Sequence, residues 1–131
     1  MNNKNRTIRF IFYLSTIALL ILYLFPGSLI GYFLYADLGK QPNLISNSIG
    51  TSINHLIYFV YLSIIGLCGY LRNDYFKRIF IFLLFLSIIL EILHLIIPNR
   101  SFQYLDLIAN FSGVLLGYYM IVLYKKWKKY E

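Results

Sequence analysis

Four runs of apolar residues, each long enough to cross a lipid bilayer, constrain this chain more than any other feature. They occupy residues 8–25, 53–71, 79–97 and 104–124. A spanning helix needs about 17–25 predominantly apolar residues. Lipid offers backbone amides no hydrogen-bond partner, so each run has to be helical. At 131 residues, one domain is expected, without a separate soluble module. Charged residues make up 13% of it, against roughly 25% in soluble domains. The predicted fold is all-α: an integral membrane four-helix bundle.

The first run follows Lys4, Arg6 and Arg9, as the core of a signal peptide would. It exceeds the roughly 7–15 residues of such a core, and no small-residue cleavage site follows, so it is expected to stay as a span. The net charge of +7 could suggest a nucleic-acid partner. Here the basic residues stand in short blocks beside apolar runs, which membrane topology accounts for, and a nucleic-acid partner is set aside. The blocks are Lys4, Arg6 and Arg9; Arg72, Lys77 and Arg78; and Lys125, Lys126, Lys128 and Lys129. The two remaining connections hold only Lys40 and Arg100. Because Lys and Arg stay on the cytoplasmic side, both termini and the middle connection are predicted inside. Tyr124, Trp127 and Tyr130 suit an interfacial anchor beside the basic tail.

The first outer connection, residues 26–52, is long. Its front part, SLIGYFLYADL, is apolar but too short to span. It could lie along the membrane surface, cover the bundle, or be a loop with several greasy side chains. Cys68 is the one cysteine, which excludes an intrachain disulfide and reads as a small packing residue.

Polar residues interrupt the apolar pattern at one depth. Span three runs outward, and Glu91 lies roughly two helical turns below Pro98. His94 is one turn nearer the surface, and Arg100 follows in the short outer turn PNRSFQ. Asp106 and Asn110 begin the inward span four, and His55 begins span two. On span four, Asp106, Ala109, Asn110, Gly113 and Gly117 share one stripe. That stripe joins polar groups to small residues that let helices approach closely, so it is expected to face protein. Ser87, Glu91, His94 and Pro98 share a face of span three, and His55, Tyr58, Leu62, Gly66 and Gly69 a face of span two. The simplest assembly turns these faces together. The predicted outer pocket therefore comprises His55, Glu91, His94, Arg100, Asp106 and Asn110, with Gly113 and Gly117 as packing residues.

Glu91 is too deep and too short to snorkel to water. It has to be protonated, paired with Arg100 or a histidine, or open to a watery cleft. Arg100 is expected to pair with Glu91 or Asp106, and Asp106 also suits the dipole of its helix N-terminus. The same polar residues would equally serve a buried network that fixes helix registry. Glu91 and His94 form E-x-x-H, but di-iron bundles use two such motifs and two further carboxylates. A mononuclear ion could recruit His55 and Asp106. The single motif carries little weight, and neither a metal nor a cofactor is predicted. No G-x-S-x-G motif or phosphate-cradling glycine loop occurs.

The stretch EILHLIIPNRSFQYLDLIANFSGVLLG, residues 91–117, resembles the VanZ-like family of small bacterial membrane proteins. That pattern has Glu, Pro-x-Arg, then Asp, Asn, Gly and Gly at fixed intervals. Glu91, Pro98, Arg100, Asp106, Asn110, Gly113 and Gly117 stand in the matching places. NHLIYFVYLSIIGL resembles the family's earlier histidine-containing helix, with His55 in place. His94 stands where the family usually has Gln, and Thr51 and Ser52 where an acid–Lys pair is frequent. The resemblance implies a multi-pass protein of the bacterial cytoplasmic membrane with a role in the cell envelope. It also implies a link to glycopeptide (teicoplanin) resistance, from which the family takes its name. Three roles stay open. The pocket could bind a cell-wall or lipid-linked glycan precursor, with Arg100 on an anion. It could act on such a lipid by acid–base chemistry through Glu91 or Asp106 and a histidine. The chain could also be a structural subunit that packs through Gly113 and Gly117. Binding is favoured over catalysis.

Overall fold

The computed structural model describes residues 3–42, 49–72 and 74–128. Residues 43–48 of the long connection, and Lys129 and Tyr130 of the tail, lie outside the described part. Among the described residues there are five helices and no strand: α1 (Asn3–Leu24), α2 (Leu29–Tyr35), α3 (Gly50–Gly69), α4 (Tyr75–Leu93) and α5 (Tyr104–Trp127). Helices α1, α3 and α5 are long and apolar enough to cross a membrane. Helix α4 has 19 residues but carries Lys77, Arg78 and Glu91.

Helix boundaries differ from the apolar runs where polar residues extend or stop a helix. Helix α1 takes in the basic segment from Asn3, and α5 continues to Trp127 through Lys125 and Lys126. At the other end of α4, regular helix stops at Leu93 and the backbone tightens into three-residue turns from His94 to Ile96, with the Ile97 amide bonded four residues back to Leu93. Glu91 therefore sits in the last helical turn, and His94 is the residue that closes it. Asn99 then reverses the chain in the left-handed region, at φ 59°.

The greasy front of the long connection is partly helical. Ser28 caps α2 by accepting from the Gly31 amide at 2.9 Å. The helix ends at Ala36, which adopts the left-handed conformation. Gly31 is required here, because a Cβ would overlap the Lys40 carbonyl. Asn54 Nδ2 donates to the Pro42 carbonyl at 2.7 Å, which ties the connection to α3.

The distribution of polarity is inverted relative to a soluble protein. Glu91, Asn110, Ser63 and Ser87 are fully buried. Phe10, Phe33 and Phe85 are among the many large apolar side chains left exposed. Burying acids and amides while exposing phenylalanine is favourable only where the surroundings are hydrocarbon. The molecule is a membrane protein by this arrangement.

Helix α3 packs against α1, α4 and α5. Its close contact with α5 is made through Gly113 and Gly117: a Cβ at Gly113 would lie 2.7 Å from the Leu56 carbonyl oxygen, and one at Gly117 would lie 2.5 Å from Ser63 Cβ. The small residues of α3 itself face elsewhere. Gly66 lies against Phe12 and Gly69 against Arg9, both on α1. The predicted small faces therefore do not all meet one another: α3 offers one face to α1 and another to α5, and His55 stands between.

The two ends of the molecule are chemically distinct. At one end Arg9 Nε donates to the Gly69 carbonyl at 2.8 Å, and a small depression is formed by Leu71, Arg72, Tyr124, Lys125 and Lys128. The three basic segments thus gather where α1 begins and α3 and α5 finish. Glu91, Asp106 and both histidines gather at the opposite end.

Candidate functional site

The site is assembled around Tyr23, near the end of α1. Its hydroxyl donates to Asn110 Oδ1 at 2.9 Å and lies 2.8 Å from His55 Nδ1. Which of the two donates in the contact with His55 is set by the imidazole tautomer. The Tyr23 ring also stacks on His94, at 5.2 Å between centroids. One side chain of α1 therefore touches α3, the end of α4 and α5.

Each acid is held by one oxygen. Asp106 Oδ1 accepts from Ser52 Oγ at 2.5 Å, while Oδ2 lies 3.9 Å from His55 Nδ1. Ser52 is in the first turn of α3 and Asp106 in the first turn of α5, so this bond pins two helix starts together. Glu91 Oε1 accepts from the Gln103 backbone amide at 3.0 Å, which fixes the end of α4 to the start of α5. His94 Nδ1 is 3.4 Å from the same oxygen. Glu91 Oε2 and His94 Nε2 are buried and have no hydrogen-bond partner. Asn110 Nδ2 reaches the Ser87 carbonyl at 3.5 Å.

The expected pairing of Arg100 with an acid does not occur. Arg100 turns toward α1, where Nη2 donates to the Leu22 carbonyl at 2.6 Å and Nε to the Phe25 carbonyl at 3.3 Å. The physical reason is that α1 ends there and its last carbonyls lack helical donors. A cation at a helix C-terminus also complements the dipole. Burial lowers the pKa of Arg100, while Tyr23 and Glu91 nearby raise it; a guanidinium remains charged through such a shift.

A cavity of about 650 Å³ opens beside these groups. Leu19, Leu22 and Tyr23 of α1, Leu29, Ile30 and Leu34 of α2, and Ile57, Tyr58 and Tyr61 of α3 form its walls. His55, His94 and Arg100 also line it. Glu91, Asp106 and Asn110 stand behind this lining. The predicted residues are thus gathered at one place in two layers: three at the cavity surface and three buried beneath.

Sequence reasoning missed Tyr23 and Ser52. Tyr23 is one of 13 tyrosines, and nothing in its spacing sets it apart. Ser52 occupies a place where the resemblance offers an acid–Lys pair, and only the fold shows that its hydroxyl serves Asp106.

No curated protein and no solved structure gives a significant match to the chain. A family profile described as VanZ/LLP1 matches residues 10–125. That interval contains every residue of the site, from Tyr23 to Asn110, and nearly the whole chain, which therefore belongs to the VanZ/LLP1 family.

Proposed function

We propose that this protein is a multi-pass protein of the bacterial cytoplasmic membrane whose outward-facing cleft binds an amphiphilic envelope ligand, a lipid-linked or cell-wall glycan precursor. The observation that carries this reading is the composition of the cleft. Apolar side chains from α1, α2 and α3 suit an acyl or prenyl chain, and Arg100, His55 and His94 supply polar contacts beside them. Arg100 uses Nε and Nη2 on carbonyls, which leaves Nη1 for an anionic headgroup. Sequestration of such a precursor is the route by which a link to glycopeptide resistance would arise.

The four-span topology belongs to the same proposal. Helix α4 is about 28 Å long at 1.5 Å per residue, close to the roughly 30 Å of a bilayer core. Its charges fall at its two ends, where Lys77 and Arg78 snorkel and Glu91 is enclosed by protein. The gathering of basic segments at one end supports cytoplasmic termini, and the site then faces outward.

A second reading, acid–base chemistry on the bound lipid, draws on His55, which lines the cleft with Asp106 3.9 Å behind it. Both readings are tested with purified protein in nanodiscs and a polyprenyl-phosphate-linked sugar. Saturable binding that Arg100→Ala weakens at least about tenfold, the scale of one charge-assisted hydrogen bond, is the expected result. Release of product would favour the second reading, and absence of saturable binding would overturn both.

A further inference from the structure

Two carboxylates are buried together at the floor of the cleft, and among the described residues no Lys or Arg forms an ion pair with either. Glu91 and Asp106 are 0% and 4% exposed. Among the described residues, the only ion-pair contacts of either acid are with histidines. Arg100 directs Nε and Nη2 to the Phe25 and Leu22 carbonyls at the end of α1 rather than to an acid, and the basic segments lie at the opposite end of the molecule. Burial of uncompensated charge is expensive, and such groups pair, take up protons or bind metal ions.

The geometry selects among these outcomes. One donor atom from each of His55, Glu91 and Asp106 lies within 4.8 Å of the other two. Each acid is oriented by a bond to one oxygen, Asp106 by Ser52 and Glu91 by the Gln103 amide. Glu91 Oε2 has no hydrogen-bond partner in a fully enclosed position. That unpartnered, fully enclosed acceptor is an independent observation that points to an electrophile at this position. Beside it, His94 Nε2 is likewise buried and unpartnered. Outer groups that fix one carboxylate oxygen and leave the other available are the usual support of a metal ligand.

We infer that His55, Glu91 and Asp106 form a binding site for one first-row divalent cation, of which zinc is the natural probe. Two carboxylates neutralise a dication, and an imidazole among the donors disfavours calcium and magnesium, which prefer all-oxygen shells. A four-coordinate ion with bonds of about 2.0–2.2 Å holds its donors about 3.3 Å apart. The present donor spacing is at most 4.8 Å, which exceeds that by at most about 1.5 Å, a gap on the scale of side-chain rotation. His94 is positioned to complete the shell or to face a ligand in the cleft. The helical spacing E-x-x-H supplied only a hint of this: of its two residues only Glu91 is in the ligand set, and His55 and Asp106 come from α3 and α5. The inference does not depend on which lipid enters the cleft.

The test uses tag-free protein in detergent, stripped with a chelator and titrated with zinc chloride by calorimetry, with thermal unfolding followed in parallel. One saturable equivalent is expected, together with a rise in the unfolding midpoint. Cys68→Ser should bind as the parent does, which separates the site from the thiol. Glu91→Gln and Asp106→Asn should weaken binding at least tenfold. Ser52→Ala keeps all the ligands and loses only the orienting bond, and should weaken it by about tenfold to a hundredfold. This variant carries the test if a ligand variant fails to fold. Absence of saturable binding in the parent would overturn the inference, as would undiminished affinity in Ser52→Ala together with every folded ligand variant. The first result would leave a proton-sharing carboxyl pair as the way these charges are balanced.

Discussion

Tyr23 joins the long helices through one hydroxyl and one ring face. Its oxygen serves both Asn110 and His55, and its ring covers His94. Removing the hydroxyl takes a partner from the part-buried His55 Nδ1 and from the buried Asn110 Oδ1. Each such group costs about 1–3 kcal/mol. Tyr23→Phe should therefore lower thermal stability in detergent by that order, whereas Tyr119→Phe, at an exposed tyrosine, should stay within about 0.5 kcal/mol of the parent. Equal effects of the two substitutions would refute the role given to Tyr23. Arg100 teaches a related lesson. Its position in a short turn between two acid-bearing segments made a carboxylate partner reasonable, but the sequence does not display the unsatisfied carbonyls at the end of α1. Those carbonyls exist only once α1 and the turn are packed side by side.

At the scale of elements, helices follow from apolar runs, and the runs were readable because lipid permits little else. Their ends were less readable, since apolar length does not report where backbone bonds stop. Leu95, Ile96 and Ile97 are as apolar as the residues before His94, yet the chain turns tightly here and so reaches Arg100 and α5. The α5 stripe of Asp106, Ala109, Asn110, Gly113 and Gly117 was legible at helical spacing, and all five are buried. The partner of that stripe was not legible, because periodicity places residues on one helix and says nothing about which face of another helix meets them. The close approach of α3 and α5 yields a direct check. Gly117→Ala would push a Cβ into Ser63 and the Val60 carbonyl, an overpacking that costs about 1–3 kcal/mol. Gly39→Ala meets only Asp37 Oδ1, at 3.3 Å, and should change thermal stability little. A Gly117→Ala protein as stable as Gly39→Ala would mean that the two helices are not packed at this distance.

Across the whole molecule, one end is basic and the other holds buried acids, histidines and the mouth of an apolar cleft. Function follows from which end faces which compartment. A cleft open to the envelope can meet lipid-linked precursors of the wall; the same cleft facing the cytoplasm could not serve them after export. The sidedness is measured most directly with single-cysteine proteins on a Cys68→Ser background, probed in intact cells with a membrane-impermeant maleimide. Ser101→Cys lies next to Arg100 at the site end, and Asp74→Cys lies in the basic connection between α3 and α4; both positions are exposed. The expected result is labelling of Ser101→Cys in intact cells and of Asp74→Cys only after permeabilisation. Labelling of Asp74→Cys from outside, with Ser101→Cys protected until the cells are opened, would contradict the outward-facing site.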